Sequence, residues 1–107
     1  MDYEIGPAEV KKIGESGEDF ILVDVREPWE FQTAHIAGAK LIPIDEIPAR
    51  ARKELNPDQH IVVYCHHGVR SLNATAWLRR QGFERAQSLS GGIDAWSRTI
   101  DPTVPQY

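Results

Sequence analysis

The only cysteine of the chain, Cys65, stands where a thiol could act as a nucleophile. It directly follows the apolar run 61–64, whose β-branched residues predict a buried strand. A short loop then leads into a segment with helical spacing, so the thiol is the first residue of a strand–loop–helix turn. In parallel α/β sheets, ligands bind at this end of the strands. Cys65 is therefore the candidate functional residue.

The loop that follows the thiol has the composition of an anion-binding site. Backbone N–H groups at a helix N-terminus and the helix dipole both stabilise negative charge. Gly68 permits backbone angles that a Cβ would forbid, so the amides can converge, and Arg70 adds a permanent positive charge. His66 and His67 would add further charge if protonated. We therefore expect Cys65 to be a reactive thiolate at neutral pH.

The residues alone leave other interpretations open. A cysteine at a strand end can be an inert core residue, although such a residue would need neither Gly68 nor Arg70. A thiolate in an anion cradle could attack phosphorus or arsenic, or it could attack a sulfane sulfur and become a persulfide. No standard zinc spacing links the four potential ligands, which are His35, Cys65, His66 and His67. We therefore predict no metal site.

The elements that must position this loop alternate along the chain. Apolar runs predict strands at 20–25 and 61–64, with weaker candidates at 3–5, 40–42 and 86–89. Helical segments are predicted to begin at Pro7 and to cover 28–33, 47–55, 71–81 and 93–98. Strands that alternate with helices indicate an α/β domain with a mostly parallel sheet and helices on both faces.

Side chains near the strand ends and the helix ends carry further predictions. Asp24 is expected to tie the loop after its strand by hydrogen bonds, and Arg26 to pair with Glu30 four residues on. Ser71 is expected to be the N-cap of helix 71–81. His35 is expected to fix its loop rather than to act as a base. Gly82 is expected to end helix 71–81. The tail 101–105 is expected to be extended and loosely held.

Length, charge and composition bound the class of protein. The 107 residues correspond to a single domain, residues 1–107, at roughly 100 to 200 residues per domain. The formal net charge of −4 disfavours a nucleic-acid partner. One cysteine excludes an internal disulfide framework, and neither a secretory signal nor a membrane-spanning apolar run is visible. We expect a cytoplasmic protein with no membrane partner.

Three motifs, in this order and spacing, resemble the rhodanese family of sulfurtransferases. They are DVREPWEF at 24–31 with HIAGA at 35–39, CHHGVRS at 65–71, and LSGGIDAW at 89–96. The resemblance covers about residues 5–96. The loop looks most like those of rhodanese domains fused to ubiquitin-like-activating enzymes. The resemblance implies a rhodanese-like fold, a central sheet of about five mostly parallel strands with helices on both faces.

The resemblance also implies a reaction. Cys65 would take sulfane sulfur from thiosulfate, polysulfide or a persulfide and pass it to a small thiol, a protein thiol or cyanide, with no cofactor. Arg70 would orient the anionic donor, and Asp24 and Arg26 would support the loop. The substrate-binding residues would be His66, His67, Gly68, Val69, Arg70 and Ser71. The alternatives are a non-catalytic or regulatory binding module of the same fold and a cysteine-dependent phosphatase or arsenate reductase, although the loop is one residue shorter than the Cys-x5-Arg loop of dual-specificity phosphatases.

Overall fold

Five parallel strands form a single sheet, which confirms the predicted α/β class. A computed structural model describes all residues 1–107. The strands are Glu4–Ile5 (β1), Phe20–Asp24 (β2), Lys40–Leu41 (β3), His60–Tyr64 (β4) and Ala86–Leu89 (β5). They lie in the order β1-β5-β4-β2-β3, and every neighbouring pair is parallel. The strand that precedes the cysteine, β4, is thus the central one.

Helices cover both faces of this sheet. They are Pro7–Ser16 (α1), Pro28–Thr33 (α2), Ile47–Glu54 (α3), Val69–Arg80 (α4) and Gly92–Thr99 (α5), with a 3₁₀ turn at Ile44–Glu46. Along β4, Ile61 and Val63 join the core under α3 and α4, while Val62 and Tyr64 join the core under α1 and α5. Because both faces of β4 are covered, its sequence is a continuous apolar run rather than an alternating one.

Helix α4 begins two residues earlier than its spacing predicted, and Ser71 is not its N-cap. Gly68 occupies the N-cap position with a φ of 108°, a left-handed conformation that favours glycine. Ser71 instead lies inside the helix and is fully buried. Its hydroxyl oxygen lies 3.2 Å from the carbonyl oxygen of Gly68 and 2.8 Å from the hydroxyl oxygen of Ser88 on β5. The predicted cap is wrong because the glycine already turns the chain into the helix.

The C-terminal tail is held against the domain, so the expectation of a loosely held tail is wrong. Val104 is buried in the core on the α1 and α5 side. Its carbonyl oxygen accepts a hydrogen bond of 2.6 Å from the Ser97 hydroxyl of α5. Asp101 accepts hydrogen bonds from both the backbone and the side chain of Thr103. The buried Val104 side chain and the bond from Ser97 dock a segment whose composition is otherwise typical of a free end, and the bonds of Asp101 stabilise its turn.

None of the five helices combines the length and the apolar composition that crossing a bilayer requires. The cytoplasmic location and the single-domain boundary at 1–107 stay predictions.

Candidate active site

The pairing of β2 with β4 brings two loops to the same edge of the sheet. In this parallel pair, Asp24 lies beside Tyr64. The next residue, Val25, donates its N–H to the carbonyl oxygen of Tyr64 at 3.1 Å. The loop after β2 and the loop that begins at Cys65 therefore leave the sheet side by side, at the carboxyl ends of the strands where α/β domains bind ligands.

The sulfur of Cys65 lies among backbone amides at the start of α4. The residue is only 1 % exposed. Its Sγ accepts hydrogen bonds from the N–H of Gly68 at 3.1 Å and from the N–H of Ser71 at 3.3 Å. The hydroxyl oxygen of Ser71 is a third polar neighbour at 3.3 Å. Although the residue belongs to the core under α3 and α4, its sulfur has a polar environment that can stabilise a negative charge.

Other amides of the same loop remain available to a ligand. The N–H groups of His66, His67, Val69 and Arg70 make no hydrogen bond within the chain. The first N–H groups of a helix have no partner within it, so these donors beside the cysteine form an arrangement suited to an anion. The amides that the sequence predicted to bind an anion thus belong to the loop after the cysteine. Those of Gly68 and Ser71 donate hydrogen bonds to its sulfur.

The first turn of α5 holds the carbonyl groups of this loop. Ile93 donates its N–H to the carbonyl oxygen of Cys65 at 2.9 Å, and Asp94 donates its N–H to that of His66 at 3.1 Å. Gly92, with a φ of 62°, lies so close that a Cβ there would be 2.4 Å from both carbonyl oxygens. The turn at Gly92 therefore lets α5 approach the loop and fix the direction of its peptide groups.

Asp24 and Arg26 form a fully buried pair beneath the site. Asp24 accepts hydrogen bonds from the Arg26 backbone N–H (3.0 Å), from Nε (2.9 Å) and from Nη2 (2.6 Å), which ties the loop after β2. Arg26 also donates to the carbonyl oxygen of Ala34. The predicted pair of Arg26 with Glu30 is wrong, because Asp24 occupies this guanidinium and Glu30 faces the cysteine loop instead.

Glu30 binds Arg70 through both carboxylate oxygens, at 2.8 and 2.9 Å. The Glu30 side chain is 5 % exposed and that of Arg70 is 37 % exposed. Glu30 also accepts the backbone N–H of Glu27 in a capping box at the start of α2. Hydrogen bonding to Arg70, opposed by burial and aided by Tyr107 and the Glu27 backbone, lowers the pKa of Glu30 to about 2. Glu30 is thus ionised throughout the physiological pH range.

This ion pair predicts a pH dependence of stability. Since the folded-state pKa of Glu30 lies below its ordinary value of 4.5, the carboxylate stabilises the fold above pH 4.5 and loses that contribution as the pH falls towards 2. Solvent screens the half-exposed Arg70, so we expect a loss of roughly 1 to 2 kcal/mol by pH 3. Urea unfolding of wild type and Glu30→Gln should give free energies that converge between pH 6 and pH 3. Parallel curves would contradict this prediction.

Tyr107 completes the network and was not found by sequence reasoning. Its hydroxyl donates to Glu30 at 2.6 Å and accepts from Nη1 of Arg26 at 2.7 Å. Its ring stacks on His66 at a centroid distance of 4.1 Å. Burial and the hydrogen bond to Glu30 raise its pKa to about 12, so it stays protonated. The E-x-x-E spacing of a capping box could have drawn attention to Glu30, whereas no local pattern points to Tyr107.

His66 contributes less charge than the sequence allowed. Burial, followed by the proximity of His67, lowers the pKa of His66, which is therefore neutral at pH 7. His35 lies in an exposed position, where its Nδ1 is 3.0 Å from the carbonyl oxygen of Phe31. The potential metal ligands that approach one another are His66, His67 and Asp94, within 4.8 Å. The two imidazole rings are stacked, with their centroids 4.0 Å apart.

Comparisons with known proteins agree with this geometry. Residues 6–99 match the rhodanese-like domain. A sulfurtransferase of Allochromatium vinosum is 43% identical over 87 residues, which are 81% of this chain and 80% of that protein. The solution NMR structure of the rhodanese-like domain from an Anabaena protein has a TM-score of 0.86 and 32% identity, and the match covers 94% of this chain and 76% of that one.

A longer relative carries the same domain as one part. The probable adenylyltransferase/sulfurtransferase MoeZ of Mycobacterium tuberculosis is 39% identical over 104 residues, or 96% of this chain. The chain spans 26% of the length of MoeZ. The matched domain, the relative of similar length and the shared fold lead to one conclusion: the chain belongs to the rhodanese-like domain family of sulfurtransferases.

Proposed function

We propose that the chain transfers sulfane sulfur through a persulfide on Cys65. The donor is thiosulfate, a polysulfide or a low-molecular-weight persulfide, and the acceptor is a small thiol, a protein thiol or cyanide. One observation carries the proposal: the sulfur of Cys65 accepts the N–H groups of Gly68 and Ser71 in a loop whose other amides have no partner. Such a site stabilises a thiolate and then the terminal sulfur of a persulfide.

In the first step the Cys65 thiolate attacks the outer sulfur of the donor. The new S–S bond forms as the donor's own S–S bond breaks, and its electron pair leaves with the departing group. With thiosulfate, Cys-S⁻ and S–SO₃²⁻ give Cys-S–S⁻ and sulfite, so atoms and charge balance. We assign the binding of the anionic sulfur to loop residues His66, His67, Gly68, Val69, Arg70 and Ser71. Asp24 and Arg26 hold the neighbouring loop from below.

In the second step an acceptor attacks the outer sulfur of the persulfide. Cyanide leaves as thiocyanate, and a thiolate leaves as a new persulfide, while Cys65 returns to the thiolate. Sulfur(0) moves without net oxidation or reduction, so the cycle needs no cofactor. Because Cys65 is only 1 % exposed, we expect groups over the loop to move before a donor or an acceptor reaches the sulfur.

Mass spectrometry tests the proposal directly. Treatment of the protein with thiosulfate or polysulfide should add about 32 Da, the mass of one sulfur atom, to the peptide that contains Cys65. Cyanide should then remove this mass and release thiocyanate. A wild-type protein that gains no sulfur from either donor would contradict the transfer reaction. Steady hydrolysis of an aryl phosphate that depends on Cys65 would instead favour a phosphatase, and an ionised thiol that transfers to no acceptor would favour a binding module.

A further inference from the structure

We infer that Glu30 determines which donor charge the site prefers. By neutralising Arg70, it makes the site discriminate against dianionic thiosulfate in favour of monoanionic sulfane donors. This inference rests on the proposed sulfur transfer and names the donor class more closely. Glu30 acts through Arg70, so it is a specificity-determining positioning residue rather than a residue that touches the donor.

The geometry of the pair compensates the charge of Arg70. Both terminal nitrogens of its guanidinium are bound to Glu30, at 2.8 and 2.9 Å. The carboxylate is itself fixed from two other directions, by the hydroxyl of Tyr107 and by the backbone N–H of Glu27. A bidentate pair that is fixed in this way is a poor source of free positive charge.

The charges beneath and beside the loop cancel. The buried pair of Asp24 and Arg26 sums to zero, as does the pair of Glu30 and Arg70. Thus the two arginines that the sequence placed at the site offer no uncompensated charge. What remains for an anion is the set of backbone N–H groups and the start of α4, which together supply only partial positive charge.

The other polar groups at the loop do not restore a positive charge. His66 is neutral at pH 7. Asp94 brings a carboxylate within 3.9 Å of His67 and 3.0 Å of Arg98. Tyr107 is protonated and uncharged. A dianion that sought full pairing would have to displace Glu30 from Arg70, and this would leave a carboxylate that is almost fully buried without its partner.

Two small donors differ in charge but react with the thiolate in the same way. Thiosulfate carries two negative charges and releases sulfite, whereas methanethiosulfonate carries one and releases methanesulfinate. In both cases the Cys65 thiolate bonds to the outer sulfur, and the leaving group takes the electron pair of the broken S–S bond. The ratio of kcat/KM for thiosulfate to kcat/KM for methanethiosulfonate therefore measures donor charge preference. Loss of folded protein affects both values equally and cancels from the ratio.

The test compares this ratio in wild type, Glu30→Gln and a matched control. Glu30→Gln keeps the side-chain shape and frees the charge of Arg70, so we expect the ratio to rise about tenfold, mainly through a lower KM for thiosulfate. Glu54→Gln is the control, because Glu54 forms a similar two-point pair with Arg50 away from the site. It changes the net charge equally and should leave the ratio within about twofold of wild type.

A second substitution shows whether Glu30 acts through Arg70. In the Glu30→Gln/Arg70→Ala double variant, the gain in the ratio should disappear, because no charge remains to be freed. Conversely, Glu30→Asp keeps the negative charge and should hold the ratio near its wild-type value. A ratio that is equal in Glu30→Gln and Glu54→Gln, or a gain that persists without Arg70, would overturn the inference.

Salt dependence provides a test that needs no variant. If Arg70 is neutralised in wild type, kcat/KM for thiosulfate should fall by no more than about twofold between roughly 20 and 300 mM KCl. A steep fall would show that the donor meets a free positive charge, and it would overturn the inference. If wild type takes sulfur from neither donor, the proposed function fails and the inference with it. If wild type takes sulfur from both donors and Glu30→Gln leaves the ratio unchanged, only the inference fails.

Discussion

Sulfur transfer by the Cys65→Ser variant is expected to be at least about a thousandfold slower than by wild type. A serine hydroxyl does not ionise at neutral pH, and no side chain within hydrogen-bond distance of the Cys65 sulfur is a base, since its polar neighbours are two amides and the hydroxyl of Ser71. The variant should also gain no mass from thiosulfate. The measurement is thiocyanate production, followed with the mass of the intact protein.

The fold should tolerate this substitution. A serine oxygen can accept the same N–H groups of Gly68 and Ser71, so we expect the free energy of unfolding to change by about 1 kcal/mol or less. Cys65 is the only cysteine of the chain, and no second thiol can replace it. A folded Cys65→Ser protein that retained more than a tenth of wild-type transfer would show that the sulfur is carried elsewhere.

The largest effect on the fold is expected from Gly92→Ala. A Cβ at this position would lie 2.4 Å from the carbonyl oxygens of Cys65 and His66, and the φ of 62° disfavours any side chain. The atoms in the way are backbone, so the loop or the start of α5 must move. We expect a loss of about 3 to 4 kcal/mol in the free energy of unfolding. Because the loop amides would move as well, transfer by the folded fraction should fall by at least about tenfold.

Two other glycines serve as controls for this substitution. Gly17 has a φ of 79° but open space around it, so Gly17→Ala should cost only about 1 kcal/mol, the cost of the backbone conformation. Gly14 lies in α1 with open space, and Gly14→Ala should stabilise the helix by up to about 1 kcal/mol. Neither should alter sulfur transfer. A Gly92→Ala protein as stable and as active as Gly17→Ala would contradict the role of close approach at α5.

The predictions for Cys65→Ser and Gly92→Ala concern two parts of the same site. In the proposed reaction Cys65 supplies the reacting atom, and the turn at Gly92 holds the peptide groups of the loop that follows it. Ile93 and Asp94 donate to the carbonyl groups of the loop. The loop amides are then free to donate hydrogen bonds to the sulfur and to its ligand, because the carbonyl oxygens accept hydrogen bonds from α5.

Local sequence was sufficient for those parts of the fold that depend on near neighbours. Strand Ala86–Leu89 and helix Pro28–Thr33 have the bounds that their patterns predict. Burial of β4 on both faces follows from its unbroken apolar run. The start of α4 was missed because two N-terminal signals compete there, and the left-handed Gly68 prevails over the hydroxyl of Ser71.

The order of the elements also pointed to Cys65, since a thiol between a buried strand and a helix with Gly68 and Arg70 in the loop is a local pattern. What the sequence could not determine is the partner of each charge. Helix spacing paired Arg26 with Glu30, but Arg26 binds Asp24, two residues before it, in the loop after β2. Long-range packing then brings Glu30 to Arg70, forty residues away.

The sequence by itself thus determined the fold class, because strands and helices alternate along the chain. It also determined the candidate thiol and the amides that follow it, because these lie within one strand–loop–helix unit. Only the tertiary structure decided how the charges of the site are compensated and that Tyr107 of the tail joins them. The physical reason is that ion pairing follows distance in space and burial. Several partners of opposite charge satisfy a linear pattern equally well, and the packing of the chain selects among them.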